Sequence, residues 1–168
     1  MKTSVRKIVV FSCAFAAMGL FAAADCSSCC SKDKHKSAKA GKCEKQLWTE
    51  DIEAAFKVAA AEKKQVFIDF TGSDWCYWCI LADKNIFSTK EWADFSSAMV
   101  CLKVDFPKNN RPDAEVAAKR RALAKEFKVM GYPTFVLASP ERKQIARFSA
   151  GKKGAAEFIA EVKKALPR

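Results

Sequence analysis

Val66-Phe67-Ile68-Asp69-Phe70-Thr71-Gly72-Ser73-Asp74-Trp75-Cys76-Tyr77-Trp78-Cys79 sets two cysteines three apart just after an apolar, β-like run. Sulfurs at this spacing can close a small disulfide ring across the first turn of a helix. A cysteine at a helix N-terminus meets unpaired backbone N–H groups and the positive end of the helix dipole. Both favour the thiolate, the species that attacks disulfides. A zinc knuckle would want a second such pair or a Cys/His pair after Cys79, and the sequence supplies neither. The stretch reads as strand, turn, redox dithiol and helix.

The ends of the chain bear on where such chemistry takes place. Met1-Lys2-Thr3-Ser4-Val5-Arg6-Lys7 is a positive leader, followed by an apolar run from Ile8 to Phe21 and then Ala22-Ala23-Ala24. Small residues at Ala22 and Ala24 fit a signal peptide over residues 1–24, cleaved near Ala24. The apolar run is shorter than the roughly 20 residues of a spanning helix; an uncleaved anchor stays open. Neither Cys13 nor Cys26, which follows Asp25, suits lipidation. The reading is an exported, periplasmic or otherwise extracytoplasmic protein.

Export changes the charge and the cysteine arithmetic. Of eight cysteines Cys13 is lost, leaving seven, an odd number in a compartment that permits disulfides. Loss of Lys2, Arg6 and Lys7 from 30 basic residues leaves 27 against 19 acidic ones, lowering the net charge from +11 to +8. Such basicity suits acidic partners or a membrane surface, but the plainer reading is a solvated basic face. No aromatic-studded basic stripe points to nucleic acid.

Residues 25–46 form a Cys/Lys-rich tail with almost no large apolar residues, unable to bury a core. Residues 47–168 are enough for one domain. There Thr49 reads as the cap of a helix with an Ile52, Ala55, Phe56, Ala59 stripe. Strands are expected over 65–70, 99–105, 135–138 and 143–148, the last two joined by Ser139-Pro140-Glu141-Arg142. Helices are expected over 76–85, 89–95, 112–129 (Val116, Leu123 and Phe127 inward) and 151–166. The order α-β-α-β-α-β-β-α predicts an α/β fold, helices flanking a central mixed β-sheet.

This order, with Trp75-Cys76-Tyr77-Trp78-Cys79 after the first core strand and Tyr132-Pro133-Thr134 before the third, resembles the thioredoxin superfamily over residues 47–168. With its export signal and aromatic dipeptide it resembles the periplasmic DsbH-type thiol reductases. The resemblance implies a thioredoxin-like fold, with Cys76 as exposed nucleophile and Cys79 as buried resolving cysteine. Cys76 attacks a substrate disulfide, and Cys79 then releases the reduced product from the mixed disulfide. Asp69 matches the buried carboxylate that assists deprotonation of the resolving thiol, and its neighbours Ile68 and Phe70 are apolar. One extra residue between Asp69 and Cys76 implies an enlarged turn. Pro133 matches the cis-proline that opens the preceding backbone to a substrate strand, and Tyr132, bulky for that position, is expected to shape substrate entry. Where thioredoxins often carry a lysine facing the acid, counting from Asp105 gives Cys101. Either Lys103, on the same strand face, substitutes, or a third thiol lies under the site; a strand cysteine is otherwise an inert core residue.

Tyr77 and Trp78 bring no positive charge to stabilise a Cys76 thiolate, which favours a reducing couple over an oxidising one. Trp75, Tyr77 and Trp78 form an apolar rim suited to disulfide-containing protein substrates. No cofactor is expected: no GxGxxG follows a strand. The resemblance then implies a membrane electron donor of the DsbD type. Two other readings stay open, a dithiol oxidase or isomerase, and a metal-handling protein binding copper or zinc through Cys26, Cys29, Cys30, Cys43 and His35, although that spacing matches no zinc motif well.

Overall fold

The Val66–Thr71 run becomes β2, buried at every position, in a computed structural model that describes residues 48–167. Its alternating side chains serve two cores, which is why the run is apolar on successive positions. Val66, Ile68 and Phe70 join Leu102, Val104 and Val136 in a cluster with Ile52, Phe56, Leu123 and Phe127. Phe67 faces the other way, into a cluster with Ile86, Phe87, Trp92, Phe135 and Phe158. Asp69 and Thr71 share the face of Phe67 by strand parity.

β2 lies at the middle of a five-stranded sheet of order β1-β3-β2-β4-β5. β1 (Trp48–Thr49) and β2 run parallel to β3 (Val100–Asp105), while β4 (Thr134–Ala138) is antiparallel to β2 and to β5 (Gln144–Phe148). α1 (Ile52–Glu62) and α4 (Ala114–Glu126) supply one cluster. The other draws on α2 (Tyr77–Ala82), the π-helical turn Asp83–Phe87 that continues it, α3 (Lys90–Ser96) and α5 (Ala155–Ala165). The arrangement is the expected mixed sheet between helices. The segment read as a signal peptide and the tail carrying Cys26, Cys29, Cys30, His35 and Cys43 lie outside the described residues. Among the described residues no helix is long and apolar enough to cross a membrane.

Four local expectations are corrected. Asp51, not Thr49, caps α1, accepting from the Ala54 N–H at 3.0 Å, while Thr49 sits in β1, its hydroxyl accepting from the Asp51 N–H. β1 was not expected, because two residues carry no periodicity; it exists through pairing with Cys101 and Leu102. The helix expected over 76–85 changes character after Ala82 into the π-helical turn, which buries both Ile86 and Phe87. The long basic helix is shorter than expected, capped by Asp113 and ending at Glu126. Its buried face includes Arg120 beside Leu123, whereas Val116 is only half-buried.

Phe67 organises the aromatic cluster, with ring centroids 4.8 Å from Trp92, 6.0 Å from Phe87 and 6.1 Å from both Phe135 and Phe158. Phe67→Ala should lower unfolding stability by about 3–5 kcal/mol, from lost transfer energy and the cavity left behind. Urea denaturation measures it, and a loss under about 1 kcal/mol would contradict this packing.

Candidate active site

Because Cys76 is the N-cap of α2, both cysteines occupy the first helical turn, and they are joined as a disulfide with Cα atoms 5.2 Å apart. The Cys79 N–H points at Cys76 Sγ, 3.3 Å away, so the helix start offers that sulfur a donor. Cys79 is buried, as expected; Cys76 is buried too, not the exposed sulfur of the sequence reading. Its Sγ is bonded to Cys79 Sγ and faces the Cys79 N–H within the first helical turn.

The enlarged turn before Cys76 is fastened at nearly every residue to the end of β3 and the loop after it. Ser73 donates to Asp105 through both its N–H (2.9 Å) and its hydroxyl (2.5 Å). The Asp74 carboxylate accepts from the Lys108 and Asn109 backbone N–H groups, which hold its pKa below the ordinary value. The Trp75 indole donates to the Phe106 carbonyl at 2.8 Å. That indole lies so close over Gly72 that a Cβ there would sit 2.5 Å from the ring, so residue 72 has no room for a side chain.

Trp75 also meets Tyr132 edge-on at 5.9 Å, and Tyr132 packs on Phe106 at 5.1 Å. The Tyr132–Pro133 peptide bond is cis. The Cys76 turn and the Pro133 loop are thus joined through aromatic contacts, and partial burial raises the Tyr132 pKa. Tyr77 and Trp78 stand outward, 68% and 45% exposed, rings 5.4 Å apart. Ile80 and Met130 add exposed apolar surface that the sequence reading passed over.

Asp69 is 3% exposed, and its Oδ1 meets no donor among the described residues. Desolvation pushes its pKa up to about 7, against the pull of Lys103; Asp83 and Asp105 push the same way as burial. Lys103 is the strand partner of Asp69, and its ammonium lies 3.6 Å from Asp83. Lys103 therefore takes the place left open in the sequence, while Cys101 pairs with Phe67 and is buried in the aromatic cluster. Asp83 was missed, although its position one helical turn after Cys79 was a readable signal. Asp74, Asp105 and Phe106 gave no such signal, their partners being more than 30 residues away in sequence. Among the described residues no group of three or more His, Cys, Asp or Glu side chains is arranged to hold a metal.

A carboxyl titrating near neutrality on the strand leading to a dithiol can hold or accept a proton at working pH. Its burial also sets a pH dependence of folding. Below about pH 4 both states keep the proton. Between pH 4 and 7 the unfolded chain releases it while the folded chain keeps it, so stability falls as pH rises, levelling above about pH 7. Relative to Asp69→Asn, the disulfide form should lose on the order of 4 kcal/mol over that range, read by urea unfolding. A flat difference would place the carboxyl in a wetter site. Asp83→Asn should lower the Asp69 titration midpoint in carboxyl carbon NMR, by removing a negative charge and releasing Lys103.

A family model described as Thioredox_DsbH, protein of unknown function, DUF255, matches residues 36–163. The disulfide bond reductase DsbH of Chlamydia pneumoniae is 34% identical over 121 residues, 71% of this chain and 73% of that protein. The thioredoxin-related protein DsbJ of the same organism is 26% identical over 106 residues, 62% of this chain and 30% of the relative. A solved DsbH oxidoreductase superposes with a TM-score of 0.71 at 30% identity, covering 81% of this chain and 94% of that one.

Proposed function

The chain belongs to the Thioredox_DsbH family of the thioredoxin superfamily and is a thiol-disulfide oxidoreductase; we propose that it is an exported reductase of protein disulfides, recharged by a membrane dithiol donor of the DsbD type. The observation that carries this reading is the Cys76–Cys79 disulfide at the start of α2, with Asp69 buried on the sheet face that helix covers. This disulfide is the state in which a reductase is left after turnover.

In the reduced protein the Cys76 thiolate attacks one sulfur of a substrate disulfide. A Cys76–substrate bond forms, and the departing substrate sulfur takes a proton. Cys79 gives its proton to the Asp69 carboxylate and attacks Cys76 Sγ. The mixed disulfide breaks, Cys76–Cys79 forms, and the second substrate sulfur leaves as a thiolate that takes a proton from water; two electrons have passed to the substrate. Lys103, shared between Asp69 and Asp83, steadies the carboxylate form that accepts the proton. The exposed Tyr77 and Trp78 rings offer apolar contact to an extended chain, and the Tyr132–Pro133 segment offers it backbone.

The reducing direction rests on the dipeptide. Tyr77 and Trp78 place no cation beside Cys76, so its thiolate gains less stabilisation than in strongly oxidising dithiols, and the disulfide is the harder form to reduce. Export rests on the leader over residues 1–24. Equilibration with glutathione decides the direction: a potential near about −270 mV makes the protein a reductase, and one near about −120 mV makes it an oxidase. Cys76→Ser should abolish turnover and Cys79→Ser should accumulate mixed disulfides visible on non-reducing gels; full activity of Cys79→Ser would sink the two-cysteine mechanism.

A further inference from the structure

Beside the turn that carries Trp75 lies an open cleft of about 280 Å³ between the loop after β3 and the start of α4. Phe106, Pro107 and Pro112 give it apolar walls, and Arg111, Arg120 and Arg121 line it as well. Its size falls at the lower edge of the roughly 300–1,000 Å³ typical of ligand sites, right for a side chain and too small for a cofactor.

The charges around it balance in number, but their contacts are unevenly shared, and the Asp105 carboxylate is itself among the lining groups. Asp105 is occupied by Ser73, Asp74 by the Lys108 and Asn109 amides, and Asp113 by capping α4. Glu115 pairs with Lys119, and Glu50 with Arg120. Arg120 is buried, donating also to the Asp105 carbonyl at 2.6 Å, and its Nε has no partner among the described residues. Among the described residues Arg111 has only the Lys108 carbonyl, 3.2 Å from its Nε, and Arg121 has no carboxylate within ion-pair distance. Lys108 lies over the Trp75 ring at 4.5 Å, and its charge acts on the Asp74 carboxylate. The local carboxylates make their contacts elsewhere, leaving Arg111 and Arg121 without an ion pair among the described residues, against apolar walls that suit the stem of a Glu or Asp side chain.

We propose that this cleft receives an acidic side chain of the polypeptide whose disulfide is being reduced, and that it selects substrates with a carboxylate near the target cysteine. The proposal rests on the reductase reading above. What favours a peptide is continuity: Phe106, a wall of the cleft, also accepts the Trp75 indole hydrogen bond and packs on Tyr132. Phe106 thus links the Tyr132–Pro133 segment, where a substrate chain would lie, to the wall of the cleft.

The test uses the full chain and a pair of disulfide peptides, alike except for Glu or Gln at positions flanking one cysteine. The Glu peptide should be reduced with a kcat/KM about tenfold higher at low salt, the size of one charge-assisted hydrogen bond. In the Arg111→Gln/Arg121→Gln double variant the ratio should fall to about one. Binding is read separately by adding serine-for-cysteine versions of both peptides to the oxidised protein and following the Arg111 and Arg121 side-chain N–H signals by NMR. Shifts with the Glu peptide alone support the cleft even if neither disulfide peptide turns over, a result that would overturn the reductase reading instead. Equal rates for the two peptides, a ratio kept in the variant, or shifts produced by inorganic phosphate or anionic vesicles but not by the Glu peptide overturn the proposal.

Discussion

β2 has no solvent face. A strand enclosed by helices on both sides admits a charged residue only at a cost of several kcal/mol, so Asp69 inside Val66–Thr71 puts a strain on everything around it. The surroundings answer by placing Lys103 directly across the ladder and holding that lysine with Asp83 from the turn after α2. The ionised carboxylate is thereby neither fully compensated nor forbidden, and its titration falls near neutrality. A fully paired acid would stay ionised at working pH and a fully isolated one would stay protonated; neither could pass a proton in both directions.

The same strand explains how much of the fold was legible. Val66–Phe70, the Ile52, Ala55, Phe56, Ala59 stripe and the hairpin about Ser139–Arg142 are local patterns, and each became the expected element. The misses depend on tertiary pairing. β1 is a strand only because β3 offers it an edge. Thr49 and Asp51 are both good caps, and the choice fell to Asp51 once Thr49 had joined the sheet. The burial of Arg120 likewise depends on distant groups, the Asp105 carbonyl and Glu50, which draw it inward.

At the site the dithiol was plain, because spacing and strand context are sequence properties. The choice between Lys103 and Cys101 was not, since both lie on one strand face and a register shift of two residues decides it. The ladder sets Lys103 against Asp69 and Cys101 against Phe67, making the thiol part of the apolar packing. The burial of Cys76 was likewise hidden, depending on where a bonded sulfur turns.

The fastening of the turn before Cys76 has a consequence for how such a protein can diversify. Asp74 grips the main-chain N–H groups of residues 108 and 109, and Trp75 grips the main-chain carbonyl of residue 106. Backbone groups are supplied by almost any amino acid, proline excepted as a donor. The side chains at 108 and 109 can therefore drift under selection for new partners while the dithiol stays where it is, whereas Phe106 is also held by its packing on Tyr132. Recognition and reactivity, though neighbours in space, are separable in inheritance.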